Sequence, residues 1–276
     1  MKNHIKRRII SLLIAALTLG GALTATAAAP GENRITVLVT GSATPQAFYG
    51  NLRDGVTYVS VRTFSAALDA TNVLAGGDAV SVFAPGLELT ARAGDKYLKA
   101  NGHYIFVPGE CTLEGGEICA PVRILAQAFG ARVDWNQPFK TVLVAAGKAP
   151  ISPIEDSFTK DDLLWMARII AAEARGESFD GKLAVGNVIM NRVASPYFPD
   201  TVYDVIFDRR SGVQFTPTSN GAVFNDPPEE CVAAAELALG GANVVGDCLY
   251  FAATTRCWAG NNRDYYGAIG GHYFYL

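Results

Sequence analysis

The residue with the clearest chemical potential is Glu173, which lies on the apolar face of a predicted helix. The apolar positions before it follow helical spacing: Leu163, Met166, Ile169 and Ile170. Glu173 comes three residues after the last of them and shares their face. Burial disfavours an ionised carboxylate, so a carboxyl group at this position keeps its proton towards neutral pH. Such a group could act as a general acid on a glycosidic oxygen.

The same position also fits roles without chemistry. Glu173 could form a structural ion pair with Arg175 or Arg192. It could also project into solvent, because Gly176 is expected to end the helix just beyond it. The helical pattern alone leaves these alternatives and the general acid open.

Two predicted helices must position Glu173 and the residues around it. Thr159, followed three residues later by Asp162, predicts a capping-box start for the first helix. A second helix is predicted from about 181 to 193, with Asn191 close to its packed face. Asn191 could hydrogen-bond Glu173 or a substrate acetamido group, or make a buried contact at the helix end.

An ordered set of motifs surrounds Glu173 and continues to the end of the chain. They are E-A-R-G-E at 173–177, G-K-L-A-V at 181–185, N-R-V at 191–193, Q-F-T at 214–216, L-Y-F-A at 249–252, Trp258 and I-G-G-H-Y-F at 269–274. This set resembles the SleB-type cell-wall hydrolases, the spore cortex-lytic enzyme family. The resemblance covers essentially all of a second domain at 159–276, although three cysteines there are not part of the family pattern.

The resemblance implies a mainly α, lysozyme-like fold related to lytic transglycosylases. Family members cut the bond between N-acetylmuramic acid and N-acetylglucosamine, typically without a metal, so no cofactor is expected. The first glutamate of E-A-R-G-E, Glu173 here, would protonate the leaving oxygen. It would then accept the proton of the muramic acid 6-hydroxyl as that group forms a 1,6-anhydro ring. One carboxylate suffices for this reaction, whereas hydrolytic glycosidases generally need two.

Six further residues are predicted to contact substrate: Glu177, Asn191, Gln214, Thr216, Tyr250 and His272. Glu177 could instead cap the next helix or orient Arg175. Gln214 and Thr216 flank a predicted buried phenylalanine and could line a glycan groove. The last two of the six are aromatic and carry polar groups, so they could stack on and bond sugar rings, with core packing as the alternative.

Composition argues against metal and nucleic-acid chemistry. Two of the three histidines, His103 and His272, lie outside the N-terminal leader, and they have no zinc-binding spacing. The chain has 23 basic and 26 acidic residues. Without the four basic residues of the leader, 19 basic residues remain, for a net charge of about −7. These basic residues are not clustered, as a nucleic-acid partner would require.

Residues 1–27 have the pattern of a signal peptide. A basic start precedes an apolar run from Ile9 to Leu23, and Ala25-Thr26-Ala27 provides small residues for cleavage. The run is shorter than the roughly 20 residues of a spanning helix, and an uncleaved anchor is the alternative. The sequence thus predicts a protein secreted to the cell wall or spore envelope, with no integral membrane segment after leader removal.

Residues 33–147 repeat internally. An offset of 61 residues places V-R-T-F at 61–64 on V-R-I-L at 122–125, and Gly41 on Gly102. Each unit predicts a strand, a turn, an extended stretch and a short helix, so we expect one α+β module. It resembles the module named for the N-terminal domain of copper amine oxidases, but one histidine gives no plausible copper site. Attachment to wall polymers and a structural or docking role both remain open.

Residues 148–158 form the predicted linker, with two prolines and no apolar periodicity. Because an exported chain can oxidise its thiols, Cys111 with Cys119, and Cys248 with Cys257, could form disulfides. A cysteine nucleophile partnered by His272 is also conceivable, but no motif supports it.

These observations predict an exported lytic transglycosylase that acts on peptidoglycan glycan strands, either of the spore cortex in germination or sporulation or of the vegetative wall. Two alternatives remain. The chain could be an inactive wall-binding or germination accessory protein, or a muramidase or glucosaminidase that hydrolyses with water.

Overall fold

The computed structural model describes residues 33–41, 44–147, 149–151 and 158–276. The predicted signal peptide lies outside these residues, as does most of the predicted linker. The described part of the chain has a sheet-rich N-terminal module and a mainly helical C-terminal domain. This two-part architecture agrees with the fold expected from the sequence.

The N-terminal module contains two sheets and two short helices among its described residues. Its elements are β1 (Arg34–Thr40), β2 (Gln46–Arg53), β3 (Val56–Ser60), α1 (Val61–Ala67), β4 (Asn72–Gly76), β5 (Ala79–Ala84), β6 (Leu87–Arg92), β7 (Tyr97–Ala100), β8 (His103–Phe106), β9 (Thr112–Glu114), β10 (Glu117–Pro121), α2 (Val122–Ala128), β11 (Arg132–Asn136) and β12 (Thr141–Ala145). One sheet has the order β11-β12-β1-β2-β3-β10-β9 and the other β4-β5-β6-β7-β8. Neighbouring strands are antiparallel, except that β1 and β12 run parallel.

Alternating side chains explain these strands. In β6, Leu87, Leu89 and Ala91 face the core, whereas Glu88 and Arg92 are exposed. The helices α1 and α2 have the same length, and each directly follows a five-residue strand. The internal repeat stays a prediction.

The C-terminal domain has three longer helices around the larger of its two core clusters and a small sheet at its end. Its elements are α3 (Lys160–Ala174), α4 (Phe179–Ala194), α5 (Val202–Ile206), α6 (Pro217–Asn220), a 3-10 helix (Ala222–Phe224), α7 (Glu229–Leu239), β13 (Tyr250–Ala252), α8 (Trp258–Asn262), β14 (Tyr265–Ile269) and β15 (His272–Tyr275). The antiparallel sheet has the order β13-β15-β14.

Local sequence fixes both helices that frame the predicted site. The capping box of α3 is present: Thr159 Oγ1 accepts the Asp162 backbone N–H at 3.0 Å, and Asp162 Oδ2 accepts the Thr159 backbone N–H at 3.1 Å. Ser178 caps α4, which therefore begins before the predicted residue 181. The two helices approach closely at Gly186 of α4, where an added Cβ would lie 3.1 Å from Cδ1 of Ile170 on α3.

The two modules share a packed interface. Tyr97, Tyr104 and Phe106, from β7 and β8, pack against the core of the helical domain. Tyr104 donates its backbone N–H to the Glu236 carboxylate at 3.1 Å. The N-terminal module is therefore held against α7 by apolar and polar contacts together.

The structure contradicts the disulfides considered from the sequence, because all five cysteines are free. Cys119 pairs with Thr112 across β9 and β10. Cys111 belongs to the buried core cluster of the module, whereas Cys119 is not part of that cluster. The disulfide between Cys111 and Cys119 that was considered from the sequence is not formed.

Within the described ranges, no helix has the length and apolar character needed to cross a membrane.

Candidate active site

Glu173 occupies the last turn of α3, on the face that packs into the domain. Ile169 and Ile170, one turn earlier, are fully buried, and Glu173 itself is half-buried. The predicted position of this carboxyl group on a buried helical face is therefore observed. Desolvation by burial raises the pKa of Glu173 above that of an ordinary glutamate.

The Glu173 carboxyl has no ion-pair partner among the residues that the structure describes. Arg175 Nη2 instead donates to the backbone carbonyl of Asp226 at 3.1 Å. Arg192 Nε donates to the backbone carbonyl of Leu249 at 2.8 Å. The structural ion pair considered from the sequence is therefore not formed. A sheltered carboxyl without a cation nearby favours its protonated form, which is what a general acid requires.

Glu177 joins the end of α3 to the turn between β14 and β15. Its Oε2 accepts the backbone N–H of Gly271 at 2.9 Å. A side chain at Gly270, where φ is +57°, would place its Cβ 2.0 Å from the same oxygen. The two glycines of the I-G-G-H-Y-F motif are thus explained by their contact with Glu177 of the E-A-R-G-E motif. The predicted role of Glu177 toward substrate stays a prediction.

His272 lies beside this contact, at the start of β15. The residue is 7% exposed, and its ring meets the Phe251 ring edge-on, with the centroids 5.2 Å apart. Burial lowers the pKa of His272, although the Glu177 carboxylate acts in the opposite direction. The direction of this shift favours the neutral ring. Its Nδ1 is buried and has no hydrogen-bond partner within the described part of the chain.

Asn191 holds a loop instead of reaching Glu173. Its Nδ2 donates to the backbone carbonyls of Gly246 at 2.7 Å and Cys248 at 2.9 Å. The hydrogen bond from Asn191 to Glu173, one of the possibilities left open by the sequence, is not formed, because the amide donates to these two carbonyls. The structure forms the helix-end contact that was the alternative. A contact from Asn191 to a substrate acetamido group stays a prediction.

Gln214 and Thr216 flank Phe215, which is buried as expected from the sequence. Gln214 Nε2 donates to the backbone carbonyl of Gly212 at 3.4 Å, and Thr216 is exposed at the start of α6. Both polar side chains are thus placed at the surface beside a core anchor.

Tyr250 lies in a cluster that contains Arg192, a residue that we did not predict to be part of the site. The Arg192 guanidinium lies 5.6 Å from the Tyr250 ring centroid and 5.3 Å from that of Phe215. Burial lowers the pKa of Arg192 to about 10. Its Nη1 is buried without a hydrogen-bond partner among the described residues. The position of Arg192 in the N-R-V motif was the available signal.

The described contacts form two groups. Glu177, Gly271 and His272 lie together, and Phe215, Arg192 and Tyr250 form the second group. Across the described residues, no group of three or more His, Cys, Asp or Glu side chains could hold a metal ion.

Comparison with known families relates two parts of this chain to two families. Residues 176–275 match the family model described as Cell Wall Hydrolase, and residues 39–144 match the model of the copper amine oxidase N-terminal domain. The chain therefore combines a cell wall hydrolase domain with a module of the second type. Glu173 lies three residues before the hydrolase match begins.

Several curated relatives are spore cortex-lytic enzymes. That of Oceanobacillus iheyensis is 35% identical over 105 residues, which are 38% of this chain and 37% of the relative. That of Bacillus subtilis is 34% identical over 94 residues, which are 34% of this chain and 30% of the relative. The matched part of this chain thus corresponds to about a third of the length of these relatives.

Two solved structures are also similar to the chain. The catalytic domain of the germination-specific lytic transglycosylase SleB from Bacillus anthracis is 33% identical, with a TM-score of 0.41, and the match covers 45% of this chain and all of that domain. The catalytic domain of the Bacillus cereus SleB protein is 32% identical, with a TM-score of 0.40, and the match covers 46% of this chain and 98% of that domain.

Proposed function

We propose that the chain is an exported lytic transglycosylase that cleaves the MurNAc–GlcNAc bonds of peptidoglycan, with Glu173 as general acid and then general base. The observation that carries this proposal is the half-buried Glu173 carboxyl, whose pKa is raised by desolvation and which lacks a cationic partner among the described residues. It lies three residues before the part of the chain that matches the cell wall hydrolase model.

The proposed reaction needs one proton carrier. Protonated Glu173 gives its proton to the GlcNAc O4 as the bond from this oxygen to the MurNAc C1 breaks. The resulting Glu173 carboxylate takes the proton of the MurNAc 6-hydroxyl, whose oxygen forms a new bond to C1. The products are a free 4-hydroxyl and a 1,6-anhydro end, and Glu173 is protonated again.

The engagement of Glu177 supports a mechanism with one carboxylate. Enzymes that hydrolyse glycosides with water use a second carboxylate as base or nucleophile. Glu177 is the nearest candidate along the chain, and one of its oxygens is engaged by the backbone N–H of Gly271. A muramidase or glucosaminidase that uses water is the alternative, as is an inactive accessory protein.

Product mass tests this proposal directly. The purified chain is incubated with peptidoglycan, and the released fragments are analysed by mass spectrometry. We expect anhydro ends, which are lighter by one water than hydrolysed ends. Glu173→Gln should release almost no fragments, whereas Glu88→Gln, an exposed carboxylate of β6, should act like the wild type. Hydrolysed ends would establish a water-using enzyme, and no release would favour the accessory protein.

The proposed substrate is peptidoglycan of either kind of bacterial wall layer. Spore cortex and vegetative wall are both candidate substrates, and export would follow from the predicted leader. The same proposal includes the division of the chain into residues 33–147, 148–158 and 159–276. It also includes the internal repeat within the first of these ranges.

We also propose that the N-terminal module attaches to wall polymers. Trp135 is 44% exposed and borders a groove of about 500 Å³ that Val56, Pro108 and Ile124 also line. An exposed indole beside an apolar groove can stack on a sugar ring. Co-sedimentation with purified walls tests this role, and Trp135→Ala should weaken it. Unchanged sedimentation of that variant would leave the module with a structural role.

A further inference from the structure

The Glu177 carboxylate is packed directly onto the turn between β14 and β15. Its Oε2 accepts the backbone N–H of Gly271 at 2.9 Å. An added Cβ would lie 2.0 Å from Oε2 at Gly270 and 2.9 Å from Oε1 at Gly271. Cβ atoms do not approach an oxygen this closely, so the carboxylate fills the space that side chains at these two positions would need. The turn and the carboxylate therefore form one packed unit.

The backbone of Glu177 is fixed by the helices on either side of it. Its N–H donates to the carbonyl of Ala174 at 3.0 Å, which continues the last turn of α3. Its carbonyl accepts a hydrogen bond from Nζ of Lys182, a residue that is buried in the first turns of α4. An added Cβ at Gly181 would lie 2.8 Å from Cβ of Glu177. Glu177 is therefore held by α3, by α4 and by the turn between β14 and β15.

Glu177 links the helix that carries Glu173 to the sheet that carries His272. It comes four residues after Glu173, and its hydrogen-bond partner Gly271 comes directly before His272. His272 begins β15, the central strand of the sheet, which pairs with β13 at Tyr250. The places of these two predicted substrate contacts relative to the Glu173 carboxyl therefore depend on this link.

The His272 ring has few restraints of its own. Its Nδ1 is buried and has no hydrogen-bond partner among the residues that the structure describes. Phe251 meets the ring edge-on, which restrains its tilt without a hydrogen bond. Burial lowers the pKa of His272, and the Glu177 carboxylate acts in the opposite direction, because the two groups are close in space. The position of this ring is thus set by the backbone of the turn that precedes it.

We propose that Glu177 is a positioning residue of the cleavage reaction, which holds the turn at 270–271 so that His272 keeps a fixed place relative to Glu173. Glu177 acts by accepting a hydrogen bond, and it transfers no proton. This inference rests on the proposed function, because it assigns a role within the same site. It also removes Glu177 as the base or nucleophile of a water-using enzyme.

Glu177→Gln and Glu177→Ala distinguish a hydrogen-bond acceptor from a proton carrier. An amide oxygen can still accept the Gly271 N–H, so Glu177→Gln should keep kcat within about 3-fold of the wild type. Glu177→Ala leaves the turn unsupported, and a displacement of about 1 Å can cost about 100-fold in rate. Its kcat should therefore fall about 10- to 100-fold, with a smaller change in KM.

These rates are measured on peptidoglycan and divided by the folded fraction, which circular dichroism gives. Equal losses in Glu177→Gln and Glu177→Ala would identify a catalytic carboxylate and overturn the inference. A wild-type rate per folded molecule in Glu177→Ala would also overturn it, because Glu177 would then contribute to stability alone.

Gly270→Ala tests the same contact from the side of the turn. The added Cβ would displace Oε2 of Glu177, so kcat should fall in the same range as in Glu177→Ala. The double variant Gly270→Ala with Glu177→Ala lacks this clash, so its loss should be smaller than the product of the two single losses. Gly267→Ala is the matched control, because an added Cβ at this position of β14 has no atom within 4 Å. It should keep the wild-type rate, and single losses that multiply fully in the double variant would overturn the inference.

A spectroscopic measurement distinguishes positioning from a general loss of stability. The NMR signals of the His272 ring protons should shift in Gly270→Ala, whereas those of His103, which contacts Glu236 in the interface, should not. Unmoved His272 signals would overturn the inference.

The mass of the released ends tests the proposed function separately. Hydrolysed ends together with an active Glu177→Gln would reject the transglycosylase and support the positioning role. Anhydro ends together with an inactive Glu177→Gln would support the transglycosylase and reject the positioning role. If the wild type cleaves nothing, the proposed function fails, and the His272 signals alone decide whether Glu177 holds the turn.

Discussion

Glu173 is half-buried and Glu236 is buried, but among the residues that the structure describes only Glu236 has hydrogen-bond partners. Glu236, on α7, is 6% exposed, and its Oε1 accepts the backbone N–H of Tyr104 at 3.1 Å and lies 3.0 Å from Nδ1 of His103. Glu173 has no described cation beside it, and burial raises its pKa. A buried carboxyl with donors stabilises an interface, whereas one without them holds a proton.

The surroundings of the two groups differ in the same way. Around Glu236, Lys99 lies 2.8 Å from Glu229, and the Tyr104 hydroxyl donates to the same carboxylate at 3.1 Å. The hydrogen bond from Lys99 lowers the pKa of Glu229. Arg175 and Arg192, the partners considered for Glu173 from the sequence, donate instead to backbone carbonyls. Charged side chains are paired with one another at the interface, whereas the Glu173 carboxyl has no charged partner among the described residues.

The largest expected effect is the loss of turnover in Glu173→Gln. The amide keeps the size of the side chain but has no transferable proton, so cleavage should fall about 100- to 10,000-fold. The rate of release of soluble fragments from peptidoglycan measures this. Glu236→Gln is the control, and its rate per folded molecule should stay near that of the wild type. A Glu173→Gln variant with wild-type rates would remove Glu173 from the chemistry.

The next effect concerns stability. Glu236→Ala removes the acceptor of the Tyr104 N–H and leaves this donor buried without a partner. Such a loss costs about 1–3 kcal/mol, so the urea midpoint should fall clearly. Glu88→Ala, an exposed change of the same kind in β6, should leave the midpoint nearly unchanged. An unchanged midpoint in Glu236→Ala would mean that the interface does not hold this carboxylate.

A smaller effect of Glu173→Gln is a change in melting temperature that depends on pH. The raised pKa of folded Glu173 means that its contribution to stability is fully present below the pKa of an unfolded glutamate and is lost as pH rises through the folded value. Glu173→Gln avoids this loss. Its melting temperature should therefore exceed that of the wild type at pH 7, by less than about 3 °C, and not at pH 4.

The pH profile of the proposed cleavage reaction gives the complementary test. A general acid must be protonated, so kcat/KM should decline as pH rises through the raised pKa of Glu173. This decline should lie above the pH at which an ordinary glutamate titrates. A decline at or below the ordinary value of 4.5 would contradict the raised pKa.

The part of the site that lies within one helix could be predicted from the sequence. The cap at Thr159 and the position of Glu173 on the buried face of α3 follow from local spacing. The contacts of Glu177 with Gly271 and of Asn191 with Gly246 could not be predicted, since each joins residues more than 50 positions apart. No periodic pattern records which distant backbone group a side chain meets.

The same reason explains why the interface was missed. Glu236 lies in the Ala-rich helix α7, and its donors come from a strand more than 100 residues earlier in the chain. The sequence shows one acidic residue among alanines, which also fits an exposed helical position. Only the folded arrangement distinguishes a surface glutamate from a buried acceptor.

The smallest effect tests how far the comparison of the two glutamates extends. His103 is half-buried and contacts Glu236 through Nδ1, but the Tyr104 N–H also serves that carboxylate. His103→Ala therefore leaves Glu236 with one donor, and the loss should be about 0.5–1.5 kcal/mol, below that of Glu236→Ala. In the double variant, the loss of unfolding free energy should be smaller than the sum of the two single losses, because both changes remove the same contact. Urea unfolding of the four proteins at pH 7 measures this coupling. Fully additive losses would show that His103 and Glu236 act independently, and the interface carboxylate would then depend on the Tyr104 backbone alone.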